Sequence, residues 1–374
     1  MALTKVDQTM VNDQVFGRRN IFINGKMQVA QRATSATSQT GTGYFTVDRW
    51  QMAINSAGTW DVSRSTTVPS GEGFAYSHKL DCTGADSSLS ASDYMIFRQK
   101  IEGINLQHLK YGTSSAEKLT LSFWVRSAKT GTYIVEFFNN NSSENKTQSQ
   151  SYTISSADTW EKKIITIDGD TARSIQNTTS LDLLVYFWLA AGSTYTGGGS
   201  LNTSWSAVDT VGNNVRAKGQ VNLADSTSND WYITGIQLEV GDNATPFEHL
   251  SYGEELALCQ RYYCVVAKMT TTDYNQLPIM NCSYYLSSQI FGVIHLPCQL
   301  RAAPSLEQAT GTNYYRVFRS GASDYFNGFT GIEGHANPIS FAIYAASNIS
   351  GTEGVAGWVE TFNNAAYIAF DAEL

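Results

Sequence analysis

Leu119–Ser127 reads LTLSFWVRS, and this stretch decides the fold. Leu119, Leu121, Phe123 and Val125 alternate with Thr120, Ser122, Trp124 and Arg126. A period of two puts the first set on one face of a strand and the second on the other. A dry face backed by a wetter one belongs to an antiparallel sheet. Working outward, the same period recurs. DRWQMAIN (48–55) aligns Trp50, Met52 and Ile54, and FAYSHKLDC (74–82) aligns Phe74, Tyr76, His78, Leu80 and Cys82. LDLLVYFWLAAG (181–192) aligns Leu181, Leu183, Val185, Phe187 and Leu189. NIFINGKMQV (20–29) reads as the opening strand, with Ile21 and Ile23 on one face and Gly25 in a turn. Many such segments separated by Gly, Asn and Ser turns predict an all-β chain built on an antiparallel sandwich.

The pattern breaks once, in YITGIQLEVGDNATPFEHLSYGEELALCQRYY (232–263). A strand ends at Gly241, and Ser251 and Glu254 stand at capping-box spacing before a short helix. Strand-like segments then resume in QIFGVIHLP, PISFAIYAAS and the closing AAYIAFDAEL. The expected organisation is an N-terminal attachment segment (1–19), a first sandwich (20–250), a junction helix (251–264) covering the end of that sandwich, and a second, smaller β-sandwich module (265–374). No repeat of 20–50 residues is visible, which speaks against a β-solenoid.

Composition narrows the function classes. Of 374 residues, 16% are charged and 12% aromatic, and the formal net charge is −8. Without a basic cluster, nucleic-acid binding is not expected. No apolar run of membrane-spanning length appears, so no membrane insertion is expected. The first twenty residues lack the apolar core of a signal peptide, so synthesis in a cytoplasm is expected. The five cysteines are odd in number and form no C-x-x-C pair, so they are expected as buried thiols. Five scattered histidines offer no metal spacing, and no hydrolase, phosphate-loop or zinc motif is present. No catalytic residue, metal or cofactor is therefore expected. A hydrolase needs two carboxylates set a fixed distance apart, and no pair can be placed from sequence.

Aromatic side chains in turn-rich segments are the remaining candidates. Sugar rings stack on Trp and Tyr faces while polar groups bond their hydroxyls. WLAAGSTYTGGGSLNTSWSAV (188–208) supplies Trp188, Tyr195, Asn202 and Trp205 as candidate glycan contacts. GTNYYRVFRSGASDYFNGF (311–329) supplies Tyr314, Tyr315, Arg316 and Tyr325. In the polar N-terminal segment, Val6, Met10, Val11, Val15 and Phe16 are the apolar residues able to anchor the chain to a neighbour.

NIFINGKMQVAQR, GYFTVDRWQM, IEGINLQHLKYGTSSAEKLTLSFWVRSAKTGTY, WEKKIITIDGD and WYITGIQLEVGDNATPFEHLSYGEELALCQRYY follow one another in order. Together they resemble a family of bacteriophage virion proteins, described as tail-fibre or structural proteins with a carbohydrate-binding-like sandwich. The resemblance spans about residues 20–263, and it transfers no site residue. It implies a jelly roll in a virion appendage, commonly a homotrimer, contacting other virion proteins and host cell-surface polysaccharide or lipopolysaccharide. Such a protein is made in the host cytoplasm and acts outside it. The rival readings are a head-fibre, decoration or tail-adaptor protein that makes mainly protein contacts, and a glycan hydrolase or esterase.

Overall fold

The computed structural model describes residues 18–140, 145–208, 215–269, 276–333 and 338–374. The chain divides into two units, one ending at Tyr252 and one running from Gly253 to Leu374. Val6, Met10, Val11, Val15 and Phe16 lie outside the described residues.

The first unit carries β1 (Ser35–Gln39), β2 (Gln51–Asn55), β3 (Thr59–Ser65), β4 (Ser77–Gly84), β5 (Tyr94–Glu102) and β6 (Leu119–Ser127). It continues with β7 (Gly131–Asn139), β8 (Lys146–Ile154), β9 (Glu161–Ile167), β10 (Leu181–Ala191), β11 (Ser206–Ala207) and β12 (Asp230–Val240). Among the described residues these form two six-stranded sheets. Sheet A has the order β1-β3-β4-β12-β6-β9 and sheet B the order β11-β8-β7-β10-β5-β2. The chain changes sheet at β1–β2, β2–β3, β4–β5, β5–β6, β6–β7, β8–β9, β9–β10 and β11–β12, and the sandwich is a jelly roll.

The inward phase follows the alternation of the sequence. Leu119, Leu121, Phe123 and Val125 of β6 meet Leu183, Val185, Phe187 and Leu189 of β10 in one buried cluster. Trp50 stacks on Phe97 at 4.9 Å, and Trp231 meets Phe97 edge-on at 5.8 Å. Each such side chain, fully buried, contributes roughly 1.5–3 kcal/mol.

The opening segment departs from the predicted strand. Asn24 and Met27 take left-handed backbone conformations, φ 59° and 57°, which no continuous strand accommodates. Residues 20–25 instead form a strap along β12. Ile21 N donates to Leu238 O (2.8 Å), and Ile236 N donates to Gly25 O (2.9 Å). A Cβ on Gly25 would stand 2.0 Å from Ile236 O, so only glycine permits this approach. The unit's far end returns to the same place: Arg19 N and Asn20 N both donate to the Glu248 carboxylate, at 3.0 and 2.9 Å.

The second unit carries β13 (Tyr263–Lys268), β14 (Pro278–Leu286), β15 (Gln289–His295), β16 (Ser305–Gln308) and β17 (Tyr315–Arg319). It ends with β18 (Ala322–Phe326), β19 (Gly331–Glu333), β20 (Ser340–Ala345), β21 (Ala356–Thr361) and β22 (Tyr367–Asp371). A three-stranded sheet, β13-β22-β16, and a seven-stranded sheet, β18-β17-β21-β14-β15-β20-β19, share a core that includes Cys264, Tyr284, Tyr315, Phe341 and Phe370. The helix is Tyr252–Gln260, shorter than the expected 251–264, because Tyr263 already pairs with Asp371. Apart from its first residue it belongs to the second unit, not to the end of the first sandwich. Arg301 N donates to Arg261 O just beyond it, tying the turn to the second unit's own loops. Four cysteines are buried and Cys298 is half-buried.

Candidate functional site

On the outer face of sheet B, two rows of residues run across the strands in register. Gln51, Arg98, Tyr186, Glu136 and Ser149 form one row. Ala53, Ile96, Trp188, Ile134 and Ser151 form the next. The even-numbered face of β10 is thus apolar as well, and the segment after β10 folds back over it. Ala217 N donates to Tyr195 O (3.0 Å), Ser149 N to Asn202 O (2.7 Å), and Ser149 Oγ to Arg216 O (2.7 Å). This excursion buries Leu184, Tyr186 and Trp188 in a second cluster with Phe138 and Ala217.

Arg216 and Glu136 are the polar centre of the cover. Arg216 Nε donates to Glu136 Oε1 at 2.7 Å and Nη2 to Oε2 at 3.1 Å. Trp188 Nε1 donates to Oε2 at 2.8 Å, and Thr147 Oγ1 also donates to the carboxylate. The guanidinium carbon lies 5.1–6.0 Å from the ring centres of Phe138, Trp188, Tyr186 and Tyr195. Burial alone would lower the Arg216 pKa, but the Glu136 carboxylate reverses this and raises it. Burial pushes the Tyr186 and Tyr195 phenols up.

Beside this centre opens a pocket of about 150 Å³, lined by Tyr94, Ile96, Arg98, Tyr186, Trp188, Tyr195 and Arg216. Tyr195 meets Tyr94 edge-on at 5.8 Å and tilts against Trp188 at 5.1 Å. Arg98 Nε donates to Gln51 Oε1 at 2.7 Å, and its guanidinium lies 5.5 Å from the Tyr186 ring centre.

The predicted residues fare unequally. Trp188 and Tyr195 converge on the pocket, but Trp188 is a strand residue and 1% exposed, not one displayed on a loop. Asn202 and Trp205 are docked instead. Asn202 bonds Ser206 Oγ and β8 backbone, and Trp205 Nε1 donates to Asp168 O (2.7 Å) with its ring edge-on to Tyr111. Tyr315 points into the second core, fully buried, its hydroxyl donating to Ala309 O and Tyr367 O. Tyr314 packs against the same core. Arg316 and Tyr325 take the opposite phase and lie on the outer face of the seven-stranded sheet. There Arg316 pairs with Glu360 (Nε to Oε1, 2.6 Å), and Tyr325 meets Phe362 at 4.7 Å. Phe318 and Trp358, 4.7 Å apart, extend this aromatic face, and Trp358 is 42% exposed.

Sequence reasoning missed Tyr94, Arg98, Tyr186 and Arg216. The signal for Tyr186 was there: LDLLVYFWLAA is apolar in both phases, which marks a strand buried on both faces. A third feature is a cleft of about 410 Å³ on sheet A, where Trp124 and Lys162 face Phe74, Phe247 and His249. Its aromatic wall comes mainly from loop residues, whereas Tyr94, Arg98, Tyr186 and Trp188 stand on adjacent strands that fix them more tightly.

No known protein family matches the chain, and no curated protein matches it. Among solved structures, the enzymatically active domain of bacteriophage CBA120 tailspike protein 4 is similar at 13% identity and TM-score 0.30, over 59% of this chain and 21% of that one. TmCBM61, solved with β-1,4-galactotriose, is similar at 10% identity and TM-score 0.30, over 60% of this chain and 100% of that one. The family 11 carbohydrate-binding module of Clostridium thermocellum Lic26A-Cel5E is similar at 12% identity and TM-score 0.26, over 55% and 99%. At these values the likeness bears on neither ligand nor chemistry.

Proposed function

We propose that this chain is a non-enzymatic bacteriophage appendage protein that recognises a host-surface glycan through the pocket on sheet B. The observation that carries this reading is the convergence of Tyr94, Tyr186, Trp188 and Tyr195 with the guanidinium groups of Arg98 and Arg216 in one half-open pocket. Aromatic faces take the C–H surface of a sugar ring, and phenol, indole and guanidinium groups take its oxygens. The family resemblance in residues 20–263 supports the virion setting, with the N-terminal segment as anchor and a homotrimer presenting several weak sites together. The non-enzymatic part of the reading follows the family resemblance, and Glu136, the carboxylate beside the pocket, is engaged by Arg216.

The test is an oligosaccharide array probed with the full chain, joined to competition of particle adsorption. Tyr195→Ala and Tyr94→Ala should weaken both while the protein remains folded. Loss with Trp124→Ala instead would move the site to the sheet A cleft, and no glycan bound by any form would refute the reading. A structural role through protein contacts is favoured by the exposed apolar side chains of the second unit, Tyr285, Leu286 and Val293, at 65%, 45% and 51% exposure. Labelling the protein on intact particles separates the two, since adsorption should fail without it only in the first case.

A further inference from the structure

Two guanidinium groups, of Arg98 and Arg216, line the sheet B pocket. Arg216 is matched by Glu136 through two N–H···O bonds. Arg98 is half-buried in the same lining and bonds a neutral amide, Gln51 Oε1. Among the described residues Arg98 has no carboxylate partner, and its cationic group lines the pocket. Its other close neighbour is Tyr186, whose ring and hydroxyl are neutral and attract a cation less than a carboxylate does. A guanidinium drawn partly out of water loses hydration that rings do not replace. A planar carboxylate does replace it, because its two oxygens match the two-pronged donor face of arginine.

We infer that the pocket is built for an acidic sugar: a carboxylate on Arg98, with the ring of the same residue against Tyr94 and Tyr195. This rests on the glycan reading above and names its substrate class. The size fixes the part of the glycan that enters. At about 150 Å³ the pocket is smaller than the roughly 300–1,000 Å³ of sites that engulf a whole ligand. It suits one terminal or branching residue that projects from a chain, while the chain itself stays outside. The charge is contributed by a strand, β5, whose neighbours in register hold it in place, so the preference belongs to the rigid sheet.

The experiment uses the full chain and three sets of oligosaccharides: uronic-acid-containing, the same compounds after carboxyl reduction, and sulfated. The expected result is binding of the uronic set about tenfold or more above the reduced set, as a charge-assisted bond predicts, and weakening with added salt. Arg98→Gln should erase that preference and leave weaker, equal binding of both sets, with an unchanged melting curve. Should Arg98→Gln fold poorly, Arg98→Lys, which keeps the charge and loses the fork, should retain only part of the preference. Tyr195→Ala should weaken uronic and reduced sets alike. Equal binding of the two sets by the unmodified chain would overturn the acidic preference and leave the glycan reading standing. Stronger binding of the sulfated set would overturn the carboxylate, a preference that survives Arg98→Gln would overturn the pocket, and no binding of any set would overturn the glycan reading itself.

Discussion

Arg216→Met tests whether the cover over sheet B is held by its buried ion pair. Glu136 is fully buried, and two of its donors come from Arg216. Methionine keeps the length and much of the apolar contact of the arginine stem, so the change removes chiefly the charge. What remains for the carboxylate is Trp188 Nε1 and Thr147 Oγ1. Stripping one partner from a buried pair costs about 3–5 kcal/mol, because the other charge stays desolvated. For a unit of this size, at about 2–4 °C per kcal/mol, the melting temperature should fall by roughly 6–20 °C. Calorimetry is the assay, since a chain of two units need not melt in one step. The double variant Arg216→Met/Glu136→Gln removes both charges and should recover at least about 2 kcal/mol of the loss. A single variant that loses less than about 1 kcal/mol, or a double variant that is merely additive, would show that water solvates the pair and that the cover closes by apolar contact alone.

Burial lowers the His78 pKa to about 3, well below its ordinary 6.5. A depressed base contributes stability above pH 6.5 that is lost as pH falls toward the folded value, by up to about 1.4 kcal/mol per pH unit. Denaturant midpoints followed from pH 6.5 to 5 should show this slope, and His78→Gln should flatten it; a flat profile in the unmodified chain would contradict the assignment. Gly25→Ala forces a Cβ against Ile236 O and should cost about 1–3 kcal/mol by overpacking, read as a shifted urea midpoint. Trp358→Ala and Tyr325→Ala lie on an open sheet face and should change stability by no more than about 0.5 kcal/mol. If the second unit also contacts the host, adsorption kinetics of particles carrying these two variants will slow; unchanged kinetics would confine recognition to the first sandwich.

Much of the first core was legible because each sheet has one face against it. The alternation in LTLSFWVRS names Leu119, Leu121, Phe123 and Val125, and all four lie inside. The site was far less legible. Trp188 and Tyr186 sit in the phase that alternation assigns to solvent, yet both are buried by a segment that returns some thirty residues later. Sequence spacing along one strand carries no information about such a cover. The turn-rich segment presents Tyr314, Tyr315 and Arg316 as one group, but adjacent strand residues point to opposite faces, and Tyr315 is the one that turns inward. The opening strap misled for a different reason: its apolar residues alternate, but the left-handed turns at Asn24 and Met27 bend it along β12.

The strap has a mechanical consequence. Arg19, Asn20 and Gly25, early in the sequence of the first sandwich, are fastened to Glu248 and Ile236, late in it. Tension applied between residues 18 and 250 would therefore pass across a short bridge of hydrogen bonds and a carboxylate clamp. The rest of the jelly roll lies off that line. Because the strap and β12 pair in antiparallel register, such a pull would peel the bridge from its open end while leaving β5 and β10, and the pocket they carry, unstretched. A sandwich strung in this way yields to a pull at its bridge before its pocket changes shape.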